Sequence, residues 1–341
     1  MRATSGRYAD PLDLVWLECA DRLGLRVERS RDVYAATDGR RTLRIGGPSD
    51  LDPDDCLAQI ILHELCHWLV AGPAAIDVPD WGLDNTSDAD RAAEHAALRV
   101  QAALLDPWGL RRVLAPTTEH RAFYDGLGDD PLEPRADPTS TRARQAVVRA
   151  RRAPFAPHLE RALEASARIV HAVVAHGVPD ETLFSTAAPV RPRHRLGGHV
   201  HRDDEARCGR CVWIRRRGRG VRVGDCTQHG ARVRCDERAC DRFEESLDCR
   251  RCAACCREGY DVVPVGPREP LARRAPHLLL RHACGQELRR DGGRCIALTG
   301  PDAIDGSYAC ALYEIRPRAC RELEPGGPGC LHARRQIGLS L

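Results

Sequence analysis

Residues 61–72 read ILHELCHWLVAG, and this stretch decides how the first half of the chain folds. Apolar residues recur at three- and four-residue intervals before and within it, which predicts an amphipathic helix. Residues 50–54 offer acidic caps for its start, and Gly72 followed by Pro73 ends it. The pattern predicts a helix over about residues 53–71, with a packed face formed by Leu57, Ile61, Leu65 and Trp68.

The same helix carries the pattern H-E-x-x-H at His63, Glu64 and His67. Residues four apart lie one above the other on a helix face, so the two imidazoles can bind one metal ion. Glu64 is placed to take a proton from a metal-bound water, which makes it the candidate catalytic residue. The alternative is a buried helix that carries two histidines for other reasons.

A metal at this site needs a third protein ligand. Glu94, on a helix predicted over residues 88–105, is the best candidate, and His95 and Asp90 are its rivals. Two histidines and a carboxylate suit zinc in a hydrolytic site and ferrous iron in an oxygenase equally well. The spacing leaves both chemistries open.

Shorter elements precede the motif. Residues 12–24 predict an amphipathic helix that ends near Gly24. Residues 32–36 and 41–45 predict two strands joined by a turn at residues 37–39. After the motif, residues 126–140 are a connector rich in proline, glycine and aspartate, and a helical pattern over residues 141–177 is broken by Pro154 and Pro157.

The segment around H-E-x-x-H resembles the elongation factor P hydroxylase family over residues 58–105. LHELCHWLVAG, then Asp80-Trp81-Gly82, then Glu94 with Gln101-Ala102 carry the resemblance. It implies that His63, His67 and Glu94 bind the metal and that Asp80 neighbours the site. It also implies iron-dependent hydroxylation of a lysine on a translation factor. A zinc peptidase is the main rival.

Cysteines divide the chain unevenly. Three precede residue 207, at Cys19, Cys56 and Cys66, and 14 of the 17 follow it. The N-terminus shows no secretory signal and no segment is long enough to cross a membrane, so we expect a cytoplasmic protein without a membrane partner. Thiols stay reduced there, which favours metal binding over disulfides. A disulfide-linked domain is the alternative.

Residues 206–245 predict a small zinc-ribbon module. The pattern C-x2-C is followed by a basic, strand-like stretch and further cysteines, and Cys235 is the spare one of five. The predicted ligands are Cys208, Cys211, Cys226 and Cys240. The preceding residues 185–207 are interpreted as a linker, with plain loop histidines at His194, His199 and His201.

The remaining cysteines begin with DCRRCAACC at residues 248–256. Thiolates two residues apart can hold one ion within a tight turn. The adjacent Cys255 and Cys256 do not readily point the same way, so one packs or the two serve different ions. Residues 246–335 resemble the YkgJ-type cysteine-cluster family, described as zinc- or iron-chelating. The implied ligands are Cys249, Cys252, Cys256, Cys295, Cys310 and Cys320, then Cys255 and Cys330, with Cys284 the weakest candidate.

Arginine supplies all 52 basic residues, and the net charge is +3. The basic run at residues 215–219 is interpreted as a solvated loop, and with 4% aromatic residues no nucleic-acid partner is expected. The predicted cofactors are zinc, iron or both, with an iron–sulfur cluster as one form in the C-terminal domain, where it would supply electrons to an iron oxygenase.

The sequence therefore predicts an α+β protein. A zincin-like domain at residues 1–125 combines a small sheet with the H-E-x-x-H helix. A helical connector at 126–205, the ribbon module at 206–245 and the cysteine-cluster domain at 246–341 follow. The predicted function is a metal-binding hydroxylase-like enzyme that acts on a protein substrate. The alternatives are a zinc peptidase and a non-catalytic metal carrier or scaffold.

Overall fold

The computed structural model describes residues 8–84, 90–133, 137–216, 218, 220–300 and 307–340. Helices and small sheets are mixed along the chain, which confirms the α+β class. The chain divides into two compact units, a first unit of residues 1–134 and 138–191 and a second unit of residues 135–137 and 192–341. Among the described residues, no helix combines the length and the apolar character that a membrane crossing requires.

Helices dominate the first unit. Their bounds are α1 Pro11–Arg22, α2 Leu57–Ala71, α3 Arg91–Leu105, α4 Arg121–Asp125, α5 Pro138–Arg149 and α6 His158–Ala175. Helix α2 packs against α1, α3 and α5, and α1 also packs against α6. The break predicted between α5 and α6 is confirmed. The predicted start of α3 at residue 88 lies outside the described residues.

Helix α2 begins later than predicted, because Cys56 and not the aspartates of residues 50–54 forms its cap. Cys56 is extended, with φ −139° and ψ 155°, and its Sγ accepts a hydrogen bond from Gln59 N at 3.4 Å. The aspartates form turns instead, as where Asp55 accepts from the backbone of Asp52. The helix ends at Gly72 as predicted, where φ is 103°.

A three-stranded sheet accompanies these helices. Strands β2 (Ala35–Thr37) and β3 (Thr42–Gly46) form the predicted antiparallel pair. Strand β1 (Arg26–Ser30) was not predicted, and it pairs with β3 in parallel. Its sequence RVERS is mostly polar and lacks the apolar alternation that marks a strand.

The core of the first unit is built around large aromatic side chains. Trp68 of α2 packs edge-on against Phe155 at 4.6 Å between ring centroids, and both are buried. Trp16 of α1 is fully buried, and its Nε1 donates to Ser166 Oγ of α6 at 3.0 Å. These contacts pack α2 against Phe155 and α1 against α6.

The second unit contains short strands and short helices. The strands are β4 Ile214–Arg215, β5 Val223–Cys226, β6 Ala231–Arg234, β7 Leu279–His282, β8 Gly285–Leu288, β9 Arg290–Asp291, β10 Arg294–Cys295, β11 Leu298–Thr299 and β12 Ala309–Cys310. The helices are α7 Cys249–Cys252, α8 Pro270–Arg274, α9 Arg318–Arg321 and α10 Pro328–Gln336. Strands β4, β5 and β6 form an antiparallel sheet, and the others pair as β7–β8, β9–β10 and β11–β12.

Trp213 and Arg334 connect the sheet β4–β6 of the second unit to its C-terminal helix α10. Trp213 is fully buried, and its Nε1 donates to Glu244 Oε2 at 2.9 Å. Arg334 of α10 binds the same carboxylate at 3.0 and 3.1 Å, with its guanidinium 5.2 Å from the Trp213 ring centroid. This buried ion pair joins the sheet β4–β6 to the C-terminal helix. The basic run is partly engaged, since Arg215 donates to Gly326 O, while Arg217 and Arg219 lie outside the described residues.

Candidate metal centres

Helix α2 brings the two histidines of the H-E-x-x-H motif together on one face. His63 Nε2 and His67 Nε2 lie 3.1 Å apart, and the ring centroids are 4.6 Å apart at an interplanar angle of 84°. Their side chains are 12% and 8% exposed. The helix repeat accounts for this convergence, because residues four apart share a face.

Glu94 of α3 lies opposite this pair. Its carboxylate oxygens are 3.5 Å from His63 Nε2 and 3.0 Å from His67 Nε2. Within the described part of the chain, these three residues form the one group of at least three His, Cys, Asp or Glu side chains whose ligand atoms all lie within 4.8 Å of one another. The structure thus assembles the donor set that the sequence nominated.

The rivals of Glu94 are engaged elsewhere. The His95 ring stacks on Phe123 with centroids 3.7 Å apart and meets His120 edge-on. Asp90 accepts a hydrogen bond from the backbone of Asp84. Neither belongs to the group around His63.

The pKa shifts of His63 and Glu94 favour the forms that bind a metal, whereas at His67 burial is outweighed by the hydrogen bond to Glu94, which raises the pKa of His67. Burial lowers the pKa of His63, and the neighbouring His67 lowers it further. Burial opposes the charge on Glu94 too, but the hydrogen bond from His67 and the charges of both histidines outweigh it and lower its pKa to about 2. A neutral imidazole and an ionised carboxylate are the forms that metal binding requires.

Two buried atoms at this site have no hydrogen-bond partner in the described structure, His67 Nδ1 and Glu94 Oε1. A buried carboxylate oxygen without a hydrogen bond is costly and calls for an explanation. Coordination of a cation by the Glu94 carboxylate supplies one. The donor set therefore fits a divalent metal.

Gln101 orients the first histidine. Its Nε2 donates to Leu114 O at 2.9 Å, so its Oε1 faces His63 and accepts from Nδ1 at 2.9 Å. This leaves the Nε2 lone pair of His63 directed at the site, as is usual for metal-ligating histidines. Gln101 is fully buried. The sequence singled it out only as part of a resemblance, and its role depends on a contact across 38 positions.

Glu64 is held beside the ligands by Trp81, whose Nε1 donates to Glu64 Oε2 at 2.9 Å. Trp81 also stacks on Trp68 with centroids 5.6 Å apart and 8° between the planes. Asp80 and Trp81 both have positive φ, 45° and 57°, and Asp80 Oδ1 accepts from Thr37 N of β2 at 2.8 Å. The D-aromatic-G segment thus connects the sheet to the carboxylate of the motif.

The three cysteines near the N-terminus belong to the hydrophobic core of the first unit or pack against it. Cys66 is fully buried, and burial raises the pKa of its thiol well above the usual value. Burial likewise raises the pKa of Cys19 to about 12 and that of Cys56 to about 11. These thiols stay protonated and behave as small apolar side chains.

In residues 206–245, four thiols gather at one end of the sheet β4–β6. Cys208 and Cys211 flank a tight turn, and Cys226 ends β5. The backbone of Cys240 pairs with that of Val200 in an isolated antiparallel β-bridge. Burial and then the charge of Cys240 raise the pKa of Cys208 to about 12, with Cys211 and Cys226 contributing.

The Cys235 Sγ is 3.6 Å from Val221 O, and Cys235 O accepts a hydrogen bond at 2.8 Å from Gly209 N in the turn between Cys208 and Cys211. The sequence did not nominate His229, whose Nε2 is 3.6 Å from Cys240 Sγ. His194 and His199, interpreted as plain loop residues, lie outside the named helices and strands, but the structure buries both, to 6% and 4% exposure. The bridge between Arg193 and His199 gives that segment structure that its composition did not indicate.

The cysteine-cluster segment carries its thiols on five elements and in the loop that follows the first of them. Cys249 and Cys252 bound α7, with Cys255 and Cys256 close behind it. Strands β10 and β12 and helices α9 and α10 add Cys295, Cys310, Cys320 and Cys330. Cys284 is exposed in the turn between β7 and β8. All 17 cysteines lie within the described residues, and none is in a disulfide.

Comparison with known proteins supports the chemistry of this last segment. Residues 248–328 match the family model CxxCxxCC, described as "Putative zinc- or iron-chelating domain". No curated protein and no solved structure matches the chain at a significant level. The comparisons give the hydroxylase resemblance of residues 58–105 no support, so it stays a prediction. The C-terminal residues 248–328 are therefore similar to the CxxCxxCC family, and this similarity supports binding of zinc or iron by that part of the chain.

Proposed function

We propose that the protein is a metal-dependent enzyme whose reaction centre lies at His63, His67 and Glu94. The convergence of two imidazole nitrogens and one carboxylate within 4.8 Å carries this proposal. Glu64 lies on the same helix turn with its orientation fixed by Trp81. A purely structural site would have no use for a restrained carboxylate next to the ligands.

The activity proposed is iron-dependent hydroxylation of a protein side chain, in a zincin-like domain. Two histidines and one carboxylate are the ligand set of non-haem iron oxygenases. His63, His67 and Glu94 would hold ferrous iron, which would supply oxidative chemistry at this site. The resemblance of residues 58–105 to elongation factor P hydroxylases implies a lysine side chain as the substrate.

The protein's own residues prepare this centre. Gln101 fixes the tautomer of His63 through Nδ1, which leaves Nε2 available as a ligand atom. The charges of both histidines keep Glu94 ionised. Trp81 occupies one oxygen of Glu64 and restricts the directions in which the carboxylate can accept a proton.

A zinc peptidase is the second candidate, and Glu64 is the observation that favours it. In a hydrolytic site, a glutamate next to the first histidine takes a proton from the attacking water. The hydrogen bond from Trp81 would then position a general base. The three ligands and Glu64 are the same in both reactions, so the metal and the substrate distinguish them.

Metal identity is the first experiment. The full chain is purified without oxygen, its metals are quantified, and nitric oxide is added to the ferrous protein. A high-spin iron–nitrosyl electron paramagnetic resonance signal that disappears in His63→Ala is expected for the hydroxylase. Zinc at this site together with hydrolysis of a fluorescent casein by the same preparation would instead establish the peptidase.

Substitution of Glu64 tests whether the site is catalytic at all. Glu64→Gln should abolish turnover without releasing metal from the cysteines, because it replaces only a group beside the ligands. The matched control is Glu18→Gln, an exposed glutamate paired with Arg22 on α1. Full activity in Glu64→Gln would overturn the enzyme proposal and leave a metal carrier or scaffold.

A further inference from the structure

Six of the eight cysteines of the CxxCxxCC segment and its C-terminal extension pack against two different apolar clusters. Cys252 and Cys255 contact a small apolar cluster of Ala254, Ala333 and Ile337, which belongs to the surroundings of α10. A separate and larger cluster, with Leu271 and Leu298 among its buried members, is contacted by Cys256, Cys295, Cys310 and Cys320. The thiols are therefore divided by the packing itself.

The first set of cysteines lies on helices α7 and α10 and in the loop directly after α7. Arg334 Nη1 lies 3.5 Å from Cys252 Sγ, which joins the two helices. Cys330 lies four residues before Arg334 and hence on the same face of α10. The thiol of Cys249 interacts electrostatically with those of Cys255, Cys252 and Cys330. We call Cys249, Cys252, Cys255 and Cys330 the helical quartet.

Backbone pairing assembles the second set. Cys295 N donates to Cys256 O at 2.8 Å, and this hydrogen bond places β10 beside Cys256. Strand β12 puts Cys310 opposite Leu298 of β11. The thiol of Cys320 interacts electrostatically with those of Cys295 and Cys310, and also with that of Cys255, the neighbour of Cys256. We call Cys256, Cys295, Cys310 and Cys320 the strand quartet.

The adjacent pair Cys255 and Cys256 is where the two quartets meet. Their Sγ atoms are 3.9 Å apart, yet the two side chains contact different apolar clusters. Ala253, with φ 46°, ends α7 and turns the backbone just before the pair. The side chains of adjacent residues do not readily point at the same ion. This difficulty disappears if Cys255 and Cys256 belong to different sites.

We propose that the helical quartet and the strand quartet are two separate four-thiolate metal centres, each for zinc or iron. Four-sulfur coordination is typical of zinc and of iron–sulfur centres. Cys330 lies beyond the matched residues 248–328, so the helical quartet is not contained in the family segment. The sulfurs of neither quartet all lie within 4.8 Å of one another.

Metal–sulfur distances of about 2.3 Å would draw the four thiolates together. Arg334 supplies positive charge beside the helical quartet, to offset part of the excess negative charge of four thiolates. The two-centre proposal rests on the metal-binding character of this segment and does not depend on the reaction proposed at His63.

Cysteine protection in the wild-type holoprotein tests the proposal. The full chain as purified is stripped stepwise with a chelator, and thiols exposed at each step are alkylated with N-ethylmaleimide and located by peptide mass spectrometry. Two centres predict that the thiols of each quartet become reactive together, in two separate steps. Simultaneous release of all eight would establish one shared centre and overturn the proposal.

Metal stoichiometry gives an independent measurement. Relative to wild type, Cys249→Ala/Cys330→Ala should lose the metal of one centre, as should Cys310→Ala/Cys320→Ala, and the combined variant should lose both. The matched control is Cys284→Ala, which removes an exposed cysteine outside both quartets and should keep the full content. Loss of all cluster metal in either double variant, while its circular dichroism stays that of the wild type, would contradict two separate centres.

Discussion

The two units of this protein reach stability by different means. The first unit has long helices around buried aromatic side chains, and its candidate metal site is added to a core that is already complete. The second unit has strands of two to four residues, and its largest buried cluster consists mainly of small and aliphatic residues. Short strands and little apolar core are typical of domains that metal ions hold together. Bound metal should therefore be dispensable for the fold of the first unit and essential for the fold of the second unit.

Removal of metal is the strongest way to break this comparison. Exhaustive chelation under reducing conditions should unfold residues 192–341, because structural zinc sites contribute about 10–16 kcal/mol of folding free energy. Helices α2 and α3 should stay folded. Hydrogen exchange read by peptide mass spectrometry checks both statements. Persistent protection of β5 and β6 after complete metal loss would show that the second unit has a self-sufficient core.

A cavity in the first unit should have the next largest effect. Trp68→Ala removes a buried ring between Phe155 and Trp81, and we expect a loss of about 3–5 kcal/mol in the free energy of unfolding of the first unit. Leu14→Ala, at an α1 position that is 54% exposed, is the control and should change it by less than about 0.5 kcal/mol. Equal effects in urea titrations would contradict a core-stabilised first unit.

Loss of the hydrogen bond that orients His63 should have a smaller effect, and this effect should be limited to metal binding at the first site. Gln101→Leu leaves His63 Nδ1 without its acceptor, so the affinity of the first site for metal should fall by about 10–100-fold. Metal held by the cysteines in the same sample is the internal control. Competition with a chromophoric chelator measures both, and a parallel loss from the cysteines would argue for general unfolding.

Alkaline pH sharpens the contrast between the thiols of the two units. The pKa of Cys19 is raised from its usual 9.0 to about 12 by burial, so the folded protein retains a proton that the unfolded chain loses. Its contribution is present below pH 9 and is lost as the pH rises towards 12, at about 1.4 kcal/mol per pH unit. Cys19→Ala should flatten this decline in urea titrations between pH 9.5 and 11. An unchanged slope would mean that Cys19 does not titrate with unfolding.

The sequence was informative where local pattern and local chemistry coincide. The apolar period of α2, its end at Gly72 and the i, i+4 histidines are all local, and the structure agrees with each. Glu94 was nominated as a carboxylate on the next predicted helix and by the family resemblance. Its rival His95 is its neighbour in α3, and Asp90 precedes that helix. That the three residues bind metal remains a prediction.

Contacts between residues far apart in the sequence could not be predicted from the sequence pattern. Strand β1 pairs through its backbone, which leaves no apolar alternation to detect. The bond from His63 to Gln101 and the burial of His194 depend on packing across many positions. The division of the cysteines into quartets likewise follows from two apolar clusters that spacing alone does not separate.

Trp213 has an optical consequence. The chain has five tryptophans, and the other four, at positions 16, 68, 81 and 108, belong to the first unit. Trp213 is fully buried against Arg334, whose side chain also reaches Cys252 of the helical quartet. The difference in emission between the wild type and Trp213→Phe therefore isolates a single fluorophore in the second unit. It allows that unit to be followed in real time within the intact chain, without a label.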